Sequence, residues 1–351
     1  MPPLRAAIIG CGRPRSESGS TGYGISHLHA TGYAQHPDVS LVAVADIKPD
    51  NGQAFAETHG VPGIYDSHEG MLEKESIDIV SVCLWTGLHS SIVCDVAARG
   101  VRAIHCEKPM APTFGEARAM VEACETHNVQ LTFNHQRRFA PVFRKAKELA
   151  DNGAIGDIQR LEGFCVDIFD WGTHWIDMMC FYNNEEDIDW VIAQIDSRKE
   201  RIVFGVPVEN QAIVDIQWKN GVHGILETGV DGRGCANRII GSEGIIEVGV
   251  TDGPQLRVFG KETKGWQPVG VEGTIHGNDP FSAAIAHAVD CLAQNREPEL
   301  SGRNALRTTE AIFAAYESSR RRARIDLPLD VDDSAFIDMY EQGIVGPSQQ
   351  L

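Results

Sequence analysis

The sequence predicts an α/β Rossmann-type domain with a parallel sheet, followed by an α+β domain with a mostly antiparallel open sheet. Three observations predict it. Short apolar runs alternate with helical segments over roughly the first 130 residues, the pattern of βαβ units with right-handed crossovers. A glycine pair, Gly10-Cys11-Gly12, directly follows the first apolar run. Beyond residue 151 the runs lengthen and alternate with polar positions, and Asn220-Gly221 separates two of them as a hairpin turn would. With 351 residues the chain exceeds one ordinary core. The expected division is 1–130 and 131–351, with the late helices at 281–323 candidates for packing back on the first domain.

Each element follows from its residues. Residues 4–9 read as the first strand. A Gly/Ser-rich stretch at 13–24 reads as an insertion in a phosphate loop, before a helix at 25–35. Residues 41–46 form a second strand, 51–59 and 68–74 are helical, and 77–84 is a third strand. A helix at 90–99 is closed by Gly100, where a left-handed residue is favoured. The run 101–107 reads as a strand buried on both faces, ended by Pro109, which has no N–H for a ladder. Thr113 and Glu116 are spaced as a capping box for a helix reaching residue 127, and 129–133 is the next strand. After a helix at 141–151, strands are expected at 158–164, 190–197, 212–218 and 222–228. Helices follow at 281–294 and, capped by Ser301, at 304–322. The polar residues 326–351 are expected to run over the surface or fray.

Composition narrows the function. A net charge of −18 and a pI near 5.1 oppose nucleic acid or an anionic membrane as partner. No apolar run approaches the ~20 residues of a membrane helix. Nine cysteines without a C-x-x-C pair indicate neither a disulfide framework nor a metal knuckle, so reduced thiols in a cytoplasm and no metal are expected. The start of the chain leaves no room for a signal peptide.

Chemistry-bearing residues gather at strand ends. Gly10, Cys11 and Gly12 can present backbone N–H groups to a pyrophosphate. Asp46 ends the second strand, where a carboxylate accepts the ribose hydroxyls of NAD. It stands 36 residues after Gly10, and the inserted loop accounts for most of the excess over the usual ~20; Lys48 nearby leaves NADP open. Lys108 follows the 101–107 strand, at the edge where ligands of parallel sheets lie. If 170–177 is helical, Asp170 and His174 share a face, an acid orienting an imidazole as a general base requires.

Taken together, G-C-G at 10–12, H-L-H-A at 27–30, V-A-D at 44–46, E-K-P at 107–109, R-R-F-A-P at 137–141 and D-W-G-T-H-W-I-D at 170–177 resemble the glucose-fructose oxidoreductase / inositol dehydrogenase (Gfo/Idh/MocA) family over nearly the whole chain. The resemblance implies Lys108, Asp170 and His174 as catalytic residues. It implies His29, Trp85, Thr86, His89 and Glu107 beside the cofactor, along with Gly10, Cys11, Gly12, Asp46 and Lys108. Gln136 and Arg138 are candidates for substrate hydroxyls, with Lys108, Asp170 and His174. The implied activity is an NAD-dependent (NADP possible) oxidoreductase acting on CH–OH groups of a sugar or cyclitol, in a homo-oligomer, dimer or tetramer. An NAD-dependent glycosidase working by transient oxidation and a non-catalytic dinucleotide sensor are the alternatives. There are departures. Ser26 stands where the third glycine would be, the segment 86–89 reads Thr-Gly-Leu-His, and Cys165 to Phe169 replaces a glycine-rich run before the Asp…His pair.

Overall fold

The computed structural model describes residues 2–14, 16, 24–229 and 234–347; most of the 13–24 insertion lies outside them. The chain forms two compact units, and they are not two consecutive stretches. The first unit comprises residues 1–111, 116–136 and 278–305, and the second comprises 112–115, 137–277 and 306–351.

In the first unit, the apolar runs become β1 (Leu4–Ile9), β2 (Val39–Ala45), β3 (Gly63–Tyr65), β4 (Ile79–Val82), β5 (Ala103–Cys106) and β6 (Gln130–Phe133). Between them run α1 (Ile25–Gln35), α2 (Pro49–His59), α3 (His68–Lys74), α4 (Thr86–Ala98) and α5 (Phe114–Thr126). All pairings are parallel, in the order β3-β2-β1-β4-β5-β6, the dinucleotide-binding arrangement with its crevice at the carboxyl ends of the strands. Helix α4 begins at Thr86, four residues before the expected start, and Gly100 follows its end at φ +83°.

In the second unit, α6 (Pro141–Asp151) and β7 (Ile158–Cys165) lead to α7 (Gly172–Tyr182), whose every residue is buried. Then come β8 (Ile188–Asp196), β9 (Ile202–Val203), β10 (Val206–Pro207), β11 (Gln211–Trp218), β12 (His223–Thr228), β13 (Asn237–Gly241), β14 (Gly244–Val248), β15 (Leu256–Gly260) and β16 (Gln267–Pro268). Helices α8 (Asp279–Gln294) and α9 (Gly302–Arg321), strand β17 (Ile325–Asp326) and helix α10 (Ala335–Glu341) complete the chain. The nine-stranded sheet runs β16-β15-β14-β13-β7-β12-β11-β8-β17 and is antiparallel except at β7–β12. Asn220-Gly221 makes the β11–β12 hairpin, with Gly221 at φ +90°. Alternation on β11, where Ala212, Val214, Ile216 and Trp218 are buried, turns one sheet face onto α7 and the core.

Two expectations are corrected. Among the described residues, 326–347 do not fray: β17 pairs with β8, and Phe336 and Met339 of α10 are buried. Helix α7 begins at Gly172, so Asp170 lies in the turn before it rather than one helical turn below His174.

Candidate active site

The glycine turn after β1 has a built-in anchor. Gly10 has φ +88°, and a Cβ there would lie 2.6 Å from the Cys83 carbonyl oxygen, so only glycine fits. Gly12, at φ +62°, has nothing within 4 Å of where its Cβ would be. The Asp46 carboxylate reaches across from the end of β2. Its Oδ2 accepts the N–H groups of Cys11 (2.9 Å) and Gly12 (3.2 Å), and its Oδ1 accepts that of Lys48 (2.8 Å). A carboxylate can accept about four hydrogen bonds, so Asp46 keeps capacity for a ribose hydroxyl while holding the turn. Ser26 donates its hydroxyl to the Cys11 carbonyl, so this serine ties α1 to the turn where a third glycine would only pack. The open side at Gly12, the strand order and Asp46 fit a dinucleotide.

Behind β4 and β5 lies a buried polar chain. His29 contacts Ser81 Oγ through Nδ1 (3.0 Å) and Glu107 Oε1 through Nε2 (2.8 Å); Tyr33 also reaches Ser81 (2.8 Å), and Asn134 donates to Glu107 (2.6 Å). Burial alone would raise the Glu107 pKa, but the hydrogen bond and charge of His29, the Asn134 amide and the Lys108 charge hold it down to about 2. Glu107 is thus an ionised support beneath Lys108, which is half-buried just past β5. His89 faces the carbonyls of Leu84 (3.1 Å), Pro109 (3.0 Å) and Met110 (3.2 Å). It clamps the loops after β4 and β5 to one another, so its contribution to a cofactor site is to their shape. Trp85 precedes α4 with 49% of its surface exposed, and Thr86 is buried beneath it. Gln136 lies in a single turn of 3-10 helix, Gln136–Phe139.

In the second unit, Asp170 and His174 are 7% and 4% exposed. The turn carrying Asp170 is held by two buried acids that the sequence reading did not single out, although it marked 165–169 as unusual. Asp167 Oδ1 accepts the N–H groups of Asp170 (2.6 Å) and Trp171 (3.1 Å), and Oδ2 accepts Arg201 (2.7 Å). Glu209 accepts the Ile168 N–H (2.6 Å) and the hydroxyls of Tyr316 (2.9 Å) and Thr228 (3.2 Å). Burial, then the charge of Asp167, pushes Glu209 up to about 7. Burial, then the charge of Asp170, likewise raises Asp167.

Arg138, expected at the substrate, is committed elsewhere. It is 1% exposed, grips Asp177 with Nε and Nη2 (2.8 Å each) and reaches Glu185 with Nη1 (2.5 Å). Its neighbour Arg137 is 6% exposed and lies over the rings of Trp175 (4.5 Å) and Trp171 (5.5 Å), the residues beside His174 and Asp170. An R-R dipeptide does not reveal which arginine is tied to the core.

Known proteins resemble this chain in both units. Residues 4–135 match the model of the oxidoreductase family with an NAD-binding Rossmann fold, and residues 168–247 match the GFO/IDH/MocA C-terminal domain. The chain is 25% identical to the D-apiose dehydrogenase of Paraburkholderia graminis, over 92% of this chain and 90% of that one. It is 26% identical to the myo-inositol 2-dehydrogenase of Thermotoga maritima, over 69% and 74%. Its fold is similar to that of levoglucosan dehydrogenase in complex with NADH and levoglucosan, with a TM-score of 0.79 at 20% identity over 93% of this chain and 100% of that one. With family models of the same name matching both units, the chain belongs to the Gfo/Idh/MocA family and is an oxidoreductase with an NAD-binding Rossmann domain.

Proposed function

We propose that this oxidoreductase transfers hydride between NAD and a secondary alcohol, or the matching ketone, of a sugar, cyclitol or sugar derivative. NAD, when bound, supplies the hydride acceptor or donor. His174 takes the hydroxyl proton during oxidation and returns it during reduction. Asp170 supports the protonated imidazole. Lys108 donates to the reacting oxygen and stabilises the developing alkoxide, with Glu107 keeping the site around the ammonium anionic. One observation carries the reading: an acid and an imidazole, both nearly fully buried, stand at the start of α7 on a turn braced by Asp167 and Glu209. An acid and an imidazole placed together this way are suited to general acid–base work. The named relatives, which are sugar and cyclitol dehydrogenases, support the same substrate class, and neither the glycosidase nor the sensor alternative gains from them.

The remaining assignments follow the same reading. NAD is preferred to NADP because Asp46 repels a 2′-phosphate. The protein is cytoplasmic, and a homo-oligomer forms through the outer face of the nine-stranded sheet, where Ile192 and Ile213 are exposed. Among the described residues no helix is long and apolar enough to cross a membrane. The test is a panel of sugars, cyclitols and their oxidised forms, followed by NADH absorbance. Stoichiometric NADH with a ketone product is expected, abolished in His174→Ala. Aglycone release from glycosides without NADH would replace this reading with the glycosidase.

A further inference from the structure

Arg137 and Arg138 are adjacent and both buried, but only one is electrostatically complete. On Arg138 the edge formed by Nε and Nη2 is filled by the two oxygens of Asp177 at 2.8 Å each, the planar fork-to-fork match of guanidinium and carboxylate. On Arg137 no carboxylate among the described residues fills the same edge. Nε is buried and has no hydrogen-bond partner among the described residues. Nη2 has only a 3.5 Å contact to His276 Nδ1, at the outer limit of a hydrogen bond. Nη1 alone is well placed, on the Ile275 carbonyl at 2.8 Å.

A buried guanidinium whose fork meets no carboxylate is incompletely compensated, and a carboxylate from a ligand would complete it. Stacking over Trp175 and Trp171 holds the guanidinium plane in place, so the edge is preorganised. Those tryptophans flank His174 and Asp170 in sequence, and Asp170 is close enough to act on the Arg137 charge. Covering the edge is the stretch 274–277, where His276 is exposed. Its carbonyl and imidazole are weaker acceptors than a carboxylate.

We propose that Arg137 binds a carboxylate of the substrate, making the substrate class a polyhydroxylated carboxylic acid of the uronic, aldonic or tartaric type. This rests on the dehydrogenase reading of the same site. The test uses the full chain with NAD⁺ and compares D-glucuronate, D-gluconate and L-tartrate with D-glucose and myo-inositol, by NADH formation. Calorimetric binding to the protein–NADH complex is measured in parallel. At least one acid is expected to exceed the neutral compounds by about 100-fold in kcat/KM. Arg137→Met should remove that margin. Arg137→Lys, which keeps the charge but loses the fork, should remove most of it and serves if the methionine variant does not fold. Neutral compounds oxidised as well as acids, or acids bound equally by wild type and Arg137→Lys, would overturn the assignment while leaving the dehydrogenase reading intact. So would acids that do not bind at all. Acid binding that depends on Arg137 without NADH formation would support the carboxylate site and refute the redox reading.

Discussion

Arg138→Met should unfold the second unit more readily rather than weaken substrate binding. The guanidinium is 1% exposed and the Asp177 carboxylate it grips is buried as well, so the variant leaves that buried carboxylate without its guanidinium. Removing one partner of such a pair costs about 3–5 kcal/mol, and Glu185 loses a contact too, although Arg307 still reaches it at 2.8 Å. That corresponds to a fall in Tm of roughly 6–20 °C. Thermal and urea unfolding, followed by tryptophan fluorescence, measure it. The double variant Arg138→Met/Asp177→Leu removes both charges and should recover a good part of the loss, since a buried ion pair replaced by apolar groups is often neutral. A Tm within about 2 °C of wild type for Arg138→Met, with KM raised alone, would refute the reasoning and return Arg138 to the substrate.

Three further outcomes are expected. Lys108→Met should lower kcat by about 100- to 1000-fold, the effect of losing a donor to a developing oxyanion, with dinucleotide affinity unchanged within a few-fold; a kcat within about tenfold of wild type would remove Lys108 from the chemistry. Asp46→Ser should raise the ratio of NADP to NAD affinity, read by fluorescence titration, but should also weaken both because Cys11 and Gly12 lose their acceptor. An unchanged ratio would unseat Asp46 as the ribose ligand. Glu209 has a folded pKa raised from 4.5 to about 7, so the folded state holds the proton more tightly than the unfolded chain does. Its contribution is therefore fully present below about 4.5 and is lost as pH rises through about 7. Unfolding free energy should decline over that window in wild type and flatten in Glu209→Gln; parallel curves would disprove it.

Much of the fold was legible because it follows from side-chain periodicity. The parallel strands of the first unit are short and apolar, the hairpin has its Asn-Gly, and β11 alternates cleanly. The start of α7 was not legible, because the residue that organises it, Asp167, accepts N–H groups three and four residues ahead of it in a turn with no sequence signature of its own. Motif and placement single out Lys108 and the Asp170/His174 pair, and the structure finds Asp170 and His174 buried at the start of α7. That Arg138 is tied to the core was not legible, because its partners Asp177 and Glu185 are remote in sequence. The carbonyl partners of His89 come from two loops that only folding brings together. Sequence placement makes Asp46 a candidate ribose ligand, and its hold on the glycine turn appears only in three dimensions.

The return of α8 to the first unit bears on how the chain is made and cut. Ile285, Ala288, Val289 and Leu292 pack with Ala30 and Tyr33 of α1, and Gly32 lies so close to Ile285 that a Cβ would come within 2.9 Å of it. On the ribosome, the nucleotide-binding unit therefore remains incomplete until the whole β-rich insertion has emerged, and its N-terminal part waits with the face of α1 uncovered. A fragment ending at residue 136 would expose that face permanently and should aggregate. A shortened version that joins 136 directly to 278 through a flexible linker is the smallest piece of this chain expected to fold and retain dinucleotide.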